Sequence, residues 1–276
     1  MFGVGRVLAT TFRLYGRNLP RFFLLTLIAY VPIVGFGFVL EIDAIRDFMT
    51  EHVWRPFMEL HPALRYQPPS ATWIPHGLLA AAIAVCVVGR LRDERVSIWR
   101  GAATAFRRMH WIIVVAFAIR LSTIGVSTVI EIALWDDRMF RGFSLMSWIG
   151  YGVVWIVCST IFLVAIPAVT VERRGPFSAL ARAWTLARGE RIKILAIVLV
   201  HYVLVVGIYY GLYFAMINPA DGMESLQRRF MIYNFARLAI EVILVPLFAI
   251  LVAVVFEHLR VAKEGPAENQ LQRVFD

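Results

Sequence analysis

Apolar positions along this chain run on without the polar interruptions that a soluble helix or strand shows. Six such runs reach or approach the length needed to cross the bilayer: residues 21–40, 73–89, 111–134, 145–169, 192–216 and 235–256. About 20 predominantly apolar residues in a helix span the ~30 Å hydrocarbon layer. The pattern therefore predicts an all-α integral membrane protein with six transmembrane helices, the second being the shortest. Three segments that precede spans have a different texture. Val4, Val7, Leu8, Thr11 and Tyr15 fall on one helical stripe, with Arg6, Arg13 and Arg17 opposite. Trp99, Ala102, Ala103 and Phe106 do the same in the second segment, and Phe177, Leu180, Ala181 and Trp184 in the third. These recurrences at i, i+3, i+4 and i+7 predict amphipathic helices. Too short and too charged to cross, they are expected to lie in the interface plane. Tyr15, Trp99, Phe106, Phe177 and Trp184 are their candidate interfacial anchors.

Each such segment leads into a span, so the chain reads as three repeats of interfacial amphipathic helix plus transmembrane hairpin, about 1–89, 90–170 and 171–257. A period of this length marks an internal repeat. In the first copy the alignment can be taken on Phe12 or Tyr15. The whole is expected to form one six-span domain over residues 1–264, with 265–276 a short cytoplasmic tail. Pro176 suits the first turn of the third surface helix, and Gly189 suits the position just past its end. The first span exceeds the 7–15 apolar residues of a cleaved signal and is followed by GFGFVLEID, which has no small-x-small site, so it is expected to remain in the mature chain.

Composition agrees with this reading: 60% of the residues are hydrophobic and 17% charged, and the mean hydropathy is +0.71. Charge then sets the orientation. Arg6, Arg13 and Arg17 precede the first span with no acid among them. Residues 90–110 carry six Arg against Asp93 and Glu94, and 171–193 carry six basic residues against Glu172 and Glu190. The alternate loops 41–72, 135–144 and 217–234 show no basic excess. This alternation predicts six spans with both termini in the cytoplasm. The net charge of +9 is accordingly assigned to anionic lipid headgroups at the cytoplasmic face, with a membrane-protein partner left open and no nucleic acid expected. Cys86 and Cys158 fall inside spans, where a thiol behaves as a small hydrophobe.

Ionisable groups within spans are the default candidates for function, because burying one in hydrocarbon is costly. Here they are Arg120, His201 and Glu241, with His76, Glu131 and Glu257 nearer span ends. Arg120 and Glu241 lie at depths that a guanidinium could bridge, as a structural lock or as part of a substrate or proton path. His201 could bond a neighbouring helix or titrate in a transport cycle. Pro246 lies one turn from Glu241, and broken helices can form transporter sites. GIYYG at 207–211 is a small-xxx-small packing face. In the outer loop, Glu51, His52, Glu59 and His61 have no spacing that fixes a coordination geometry, so no metal and no cofactor are expected. No nucleophile elbow, phosphate-binding glycine loop or HExxH occurs.

Three stretches resemble a known group. AIPAVTVERRGPFSALARAWTLARGERIKIL (165–195), TTFRLYGRNLPRFF near the start and FEHLRVAKEG (256–265) are similar to the membrane domain of glycerophosphodiester phosphodiesterases and to related six-span bacterial inner-membrane proteins of the YciC-like group. The resemblance implies a membrane domain that does not itself hydrolyse phosphodiesters, since in the enzyme members catalysis belongs to an appended barrel with an H-R-G motif and an E-x-D metal pair. This chain has Glu41 and Asp43 in E-I-D but no H-R-G. His258 stands where the group has Asp, so no charge-pair role is carried onto it. The expectation is a non-enzymatic membrane protein that scaffolds or binds lipid or a membrane partner. The alternative is a small transporter or permease using Arg120, His201 and Glu241.

Overall fold

The computed structural model describes residues 3–40, 73–133, 145–216 and 223–265. Among them every regular element is a helix: α1 (Val4–Leu40), α2 (Trp73–Leu91), α3 (Ile98–Arg107), α4 (Met109–Ala133), α5 (Leu145–Phe162), α6 (Ala165–Thr170), α7 (Pro176–Ala187), α8 (Arg191–Met216) and α9 (Met223–Glu264). Among the described residues three stretches are long and apolar enough to cross a membrane: Gly152–Thr170, Arg191–Met216 and Ala239–Glu264. A fourth arises if α3 and the following Met109–Ile119, which meet at 73°, count as one broken span. The protein is thus a helical membrane protein.

The centre of the bundle is α9, which packs most extensively on α2 and α1. Its core face is nearly continuous from Ala249 to Phe256. Forty-two residues at about 1.5 Å each make a helix near 63 Å long, twice the hydrocarbon thickness. Helix α1 is also longer than its apolar run. Its amphipathic start continues without a break into the first apolar segment as one 37-residue helix, whereas the second and third amphipathic segments form separate short helices. Val7, Thr11, Asn18, Phe22, Thr26 and Tyr30 are buried along α1, a stripe of the spacing that a helix packed along its whole length requires. Buried Thr11 and Thr26 return their hydroxyls to the carbonyls of Val7 and Phe22 at 2.8 and 2.7 Å. This satisfies them without a partner helix.

Local chemistry explains the breaks. Pro167 lacks the N–H that would bond the Leu163 carbonyl, and its ring crowds that carbonyl. The fourth apolar run accordingly parts at Leu163–Val164 into α5 and α6. Ser97 caps α3, its hydroxyl accepting from the Arg100 N–H at 3.2 Å. Pro176 opens α7, and Gly189, at φ +89°, lies just past its end. Outward faces are apolar at the levels expected of lipid contact, with Leu24, Leu27 and Ile28 on α1, Val114, Phe117 and Leu121 on α4, and Val200, Val203 and Phe214 on α8 exposed. Such extensive exposed apolar surface is foreign to soluble monomers.

Candidate functional site: short helices clamped to one end of the bundle

Helices α3 and α7 are seated by small residues. On α3 the buried positions are Gly101 and Ala105, one turn apart; on α7 they are Ala179, Ala183 and Ala187, together with Pro176 and Leu186. A ridge of Gly and Ala lets a helix lie close on its support. A Cβ added at Gly101 would stand 2.6 Å from Cys86 Sγ and 2.7 Å from the Ala82 carbonyl oxygen, so α3 touches α2 backbone to backbone there. The large side chains face away. Trp99, Phe106, Phe177 and Trp184 are 74, 69, 79 and 45% exposed, in two pairs each spaced by seven residues. The Arg191 guanidinium sits 4.0 Å over the Trp184 ring, a cation–π contact.

Charge clamps hold this arrangement. Glu257 on α9, almost fully buried, receives both Arg92, from the loop before α3, at 3.0 and 2.8 Å, and Arg260 at 3.1 and 2.6 Å. Two bidentate guanidinium pairs on one carboxylate satisfy all its lone pairs, the condition under which a buried ion pair is tolerated. On the other side, Glu172 binds Arg182 of α7 at 2.9–3.1 Å and Arg174 at 2.6 Å, and Arg182 reaches on to Glu264 of α9. Burial pushes the Glu172 carboxyl up, but the hydrogen bonds from Arg182 and Arg174 outweigh it and hold its pKa below the ordinary value. Lys263 donates to the carbonyls of Thr185 and Arg188, groups that the end of α7 leaves without helical partners. Arg108, at the α3–α4 corner, likewise donates to the Val169 carbonyl at 3.1 Å.

Tyr15 has a different setting from the other four aromatic candidates. Its hydroxyl donates to the Ile243 carbonyl of α9 at 2.9 Å, next to the Val242 carbonyl that Pro246 leaves without its helical donor. Tyr15 therefore ties α1 to α9.

The intramembrane candidates fall in two places. His201 of α8 stacks on Phe248 of α9 with ring centroids 4.5 Å apart, an aromatic packing contact. Glu241 hydrogen-bonds Tyr209 of α8 and lies within electrostatic reach of Arg237, one turn before it on α9. Tyr30 of α1 feels the same charge and hydrogen-bonds His76 of α2. Four helices thus contribute to one polar cluster. Arg120 and Glu131 are helical, but their side chains, and with them the pairing of Arg120 to Glu241, lie outside what is described, as does the loop bearing Glu51, His52, Glu59 and His61. Among the described residues no group of three or more His, Cys, Asp or Glu is arranged to hold a metal.

Sequence reasoning passed over Arg92, Arg182, Arg260 and Glu264 as partners. For all but Arg92 a signal was available in the stretches quoted from the sequence: Glu172 and Arg182 lie in 165–195 and Arg260 and Glu264 in 256–265, and Arg182 meets Glu264 in space. No family profile, curated protein or solved structure matches the chain.

Proposed function

We propose that this is a non-enzymatic, multi-pass protein of a bacterial inner membrane that binds lipid at the cytoplasmic leaflet and scaffolds a membrane partner there. In this reading the chain makes six spans in three repeats with both termini in the cytoplasm, and α3 and α7 lie in the headgroup layer. The observation that carries it is the outward presentation of Trp99, Phe106, Phe177 and Trp184 on two short helices whose inward faces are mostly Gly and Ala. Large aromatics turned away from a protein core are stable where an apolar, partly hydrated layer receives them, and the membrane interface is such a layer. The nearby Arg side chains add about 1 kcal/mol each at an anionic surface. Glu172, Arg182 and Glu264, which lie in the stretches that carry the resemblance to the membrane domain of glycerophosphodiester phosphodiesterases, clamp α7. The test is fluorescence quenching of the full chain in bilayers whose lipids carry bromine just below the headgroup. Quenching should be strong and should fall in the W99F/W184F variant; equal quenching of parent and variant would sink the reading.

A second reading, a small transporter, is supported by the polar cluster of Tyr30, His76, Tyr209 and Glu241 within the spans. Under it, Glu241→Gln abolishes uptake of a substrate while the protein still folds and inserts.

A further inference from the structure

Beside the clamped end, α1, the end of α2 and the loop into α3 enclose an open cavity of about 480 Å³. Its floor is apolar, from Leu14, Phe22, Val87 and Ile98, and its rim carries Arg21, Arg90 and Arg95 together with Asp93 and Glu94. Arg90 is held by the Asn18 side chain. Arg21, Arg95, Asp93 and Glu94 show no side-chain hydrogen bond or ion pair among the described residues, although charges of both signs stand close by. The acidic pair is on a fixed turn: Asp93 takes φ +59°, the left-handed region that Asp tolerates, and the Glu94 N–H bonds the Gly89 carbonyl at 2.8 Å. The depth is also defined. Along α1 the exposed Arg13, Arg17 and Arg21 stand among exposed Phe12 and Leu19, and after Arg21, as far as Tyr30, the exposed residues are Phe23, Leu24, Leu27 and Ile28, with no charge among them. Arg21 therefore marks the level where charge gives way to hydrocarbon-compatible surface.

From this juxtaposition, and resting on the membrane reading above, we propose that the cavity is a binding site for a phospholipid whose headgroup carries both a phosphate and a primary ammonium. The phosphate takes Arg21 and Arg90, guanidinium forks suited to its oxygens, with Arg95 alongside. The ammonium takes Asp93 and Glu94, and the start of an acyl chain covers the apolar floor. A cavity with only cations on its rim would favour a purely anionic headgroup. The two carboxylates repel that headgroup and attract an ammonium, which is how charge pattern produces specificity.

The test is native mass spectrometry of the full chain in detergent, titrated with phosphatidylethanolamine, phosphatidylglycerol, phosphatidylcholine, or chain-free glycerophosphoethanolamine. Phosphatidylethanolamine should bind at least about fivefold tighter than phosphatidylglycerol or phosphatidylcholine, the latter lacking N–H donors, and glycerophosphoethanolamine should bind far more weakly. Arg21→Ala and Arg95→Ala, at rim positions without partners, should each weaken phosphatidylethanolamine binding several-fold. D93N/E94Q should erase the preference over phosphatidylglycerol, Asn retaining the tolerance for the left-handed turn. Equal binding of phosphatidylethanolamine and phosphatidylcholine, tighter phosphatidylglycerol binding, no effect of either Arg variant, or full-strength binding of glycerophosphoethanolamine would each overturn the site. Interfacial quenching through Trp99 and Trp184 is read separately, so loss of the cavity preference with that quenching intact removes this site and leaves the wider reading standing.

Discussion

Glu257 is the residue on which most charge converges. Its side chain and that of Arg260 are each 7% exposed, so removing the carboxylate leaves Arg260 buried without its counter-charge. Breaking one side of a buried pair costs about 3–5 kcal/mol. Glu257→Ala should therefore lower the thermal unfolding midpoint in detergent sharply, while Asp93→Asn, at an exposed and unpaired position whose left-handed backbone Asn also tolerates, should leave it nearly unchanged. Glu172 offers a pH readout. Its folded-state pKa lies below the ordinary carboxylate value of 4.5, so the folded protein binds fewer protons than the unfolded chain as pH falls through that region. The stabilisation is complete above pH 4.5 and disappears as pH drops below it toward the depressed folded value. Glu172→Gln lacks this contribution. Unfolding midpoints of parent and variant should differ at neutral pH and converge under acid; a gap that stays constant down to strong acid would assign the effect to packing instead.

For the elements, the short helices depend on close approach. Gly101→Val places a branched side chain where a Cβ alone would meet Cys86 Sγ at 2.6 Å. Overpacking of this kind typically costs about 1–3 kcal/mol, and α3 has only ten residues with which to resist it. The expected result is faster amide hydrogen exchange confined to α3 and its corner with α4; unchanged exchange there would mean that α3 is held without the Gly ridge. The matched change on the outward face, Trp99→Ala, should leave protection of α3 in place in detergent, because that side chain is 74% exposed. The two substitutions separate seating the helix from what the helix presents.

At the scale of the whole molecule, the orientation and the number of crossings are the quantities to measure. Reporter fusions at residue 60 should read as external, and fusions at residues 95 and 175 as cytoplasmic. A cytoplasmic signal at residue 60 would end both the six-span topology and the proposal that α3 and α7 lie on the cytoplasmic leaflet. One helix, α9, carries both the polar cluster at Glu241 and the clamps at Glu257 and Glu264.

The sequence by itself determined that the chain is helical and membrane-embedded, because unbroken apolar runs of span length have few other stable solutions. It also determined the bounds of α7, which Pro176 and Gly189 bracket, whereas the parting of the 145–169 run at Leu163–Val164 before Pro167 appeared only in the fold. It showed which residues share a helix face, as Val4, Val7, Leu8, Thr11 and Tyr15 do. Only the tertiary structure decided what covers each face. In water an apolar stripe must turn inward, but beside lipid both directions are apolar, so the pattern loses its sense of direction and packing geometry takes over. Tyr15 thus turns to the Ile243 carbonyl of α9, whereas Trp99 and Trp184 turn outward because Gly and Ala on the opposite face permit a closer fit. Pairing is equally a matter of three dimensions. Arg92 and Glu257 are 165 residues apart, and Glu241 lies against Tyr209 and Arg237, partners that depth along a span could not single out. A buried charge must be neutralised by whichever opposite charge or donor the folded backbone brings within a few ångströms, and that choice is made only when the helices pack.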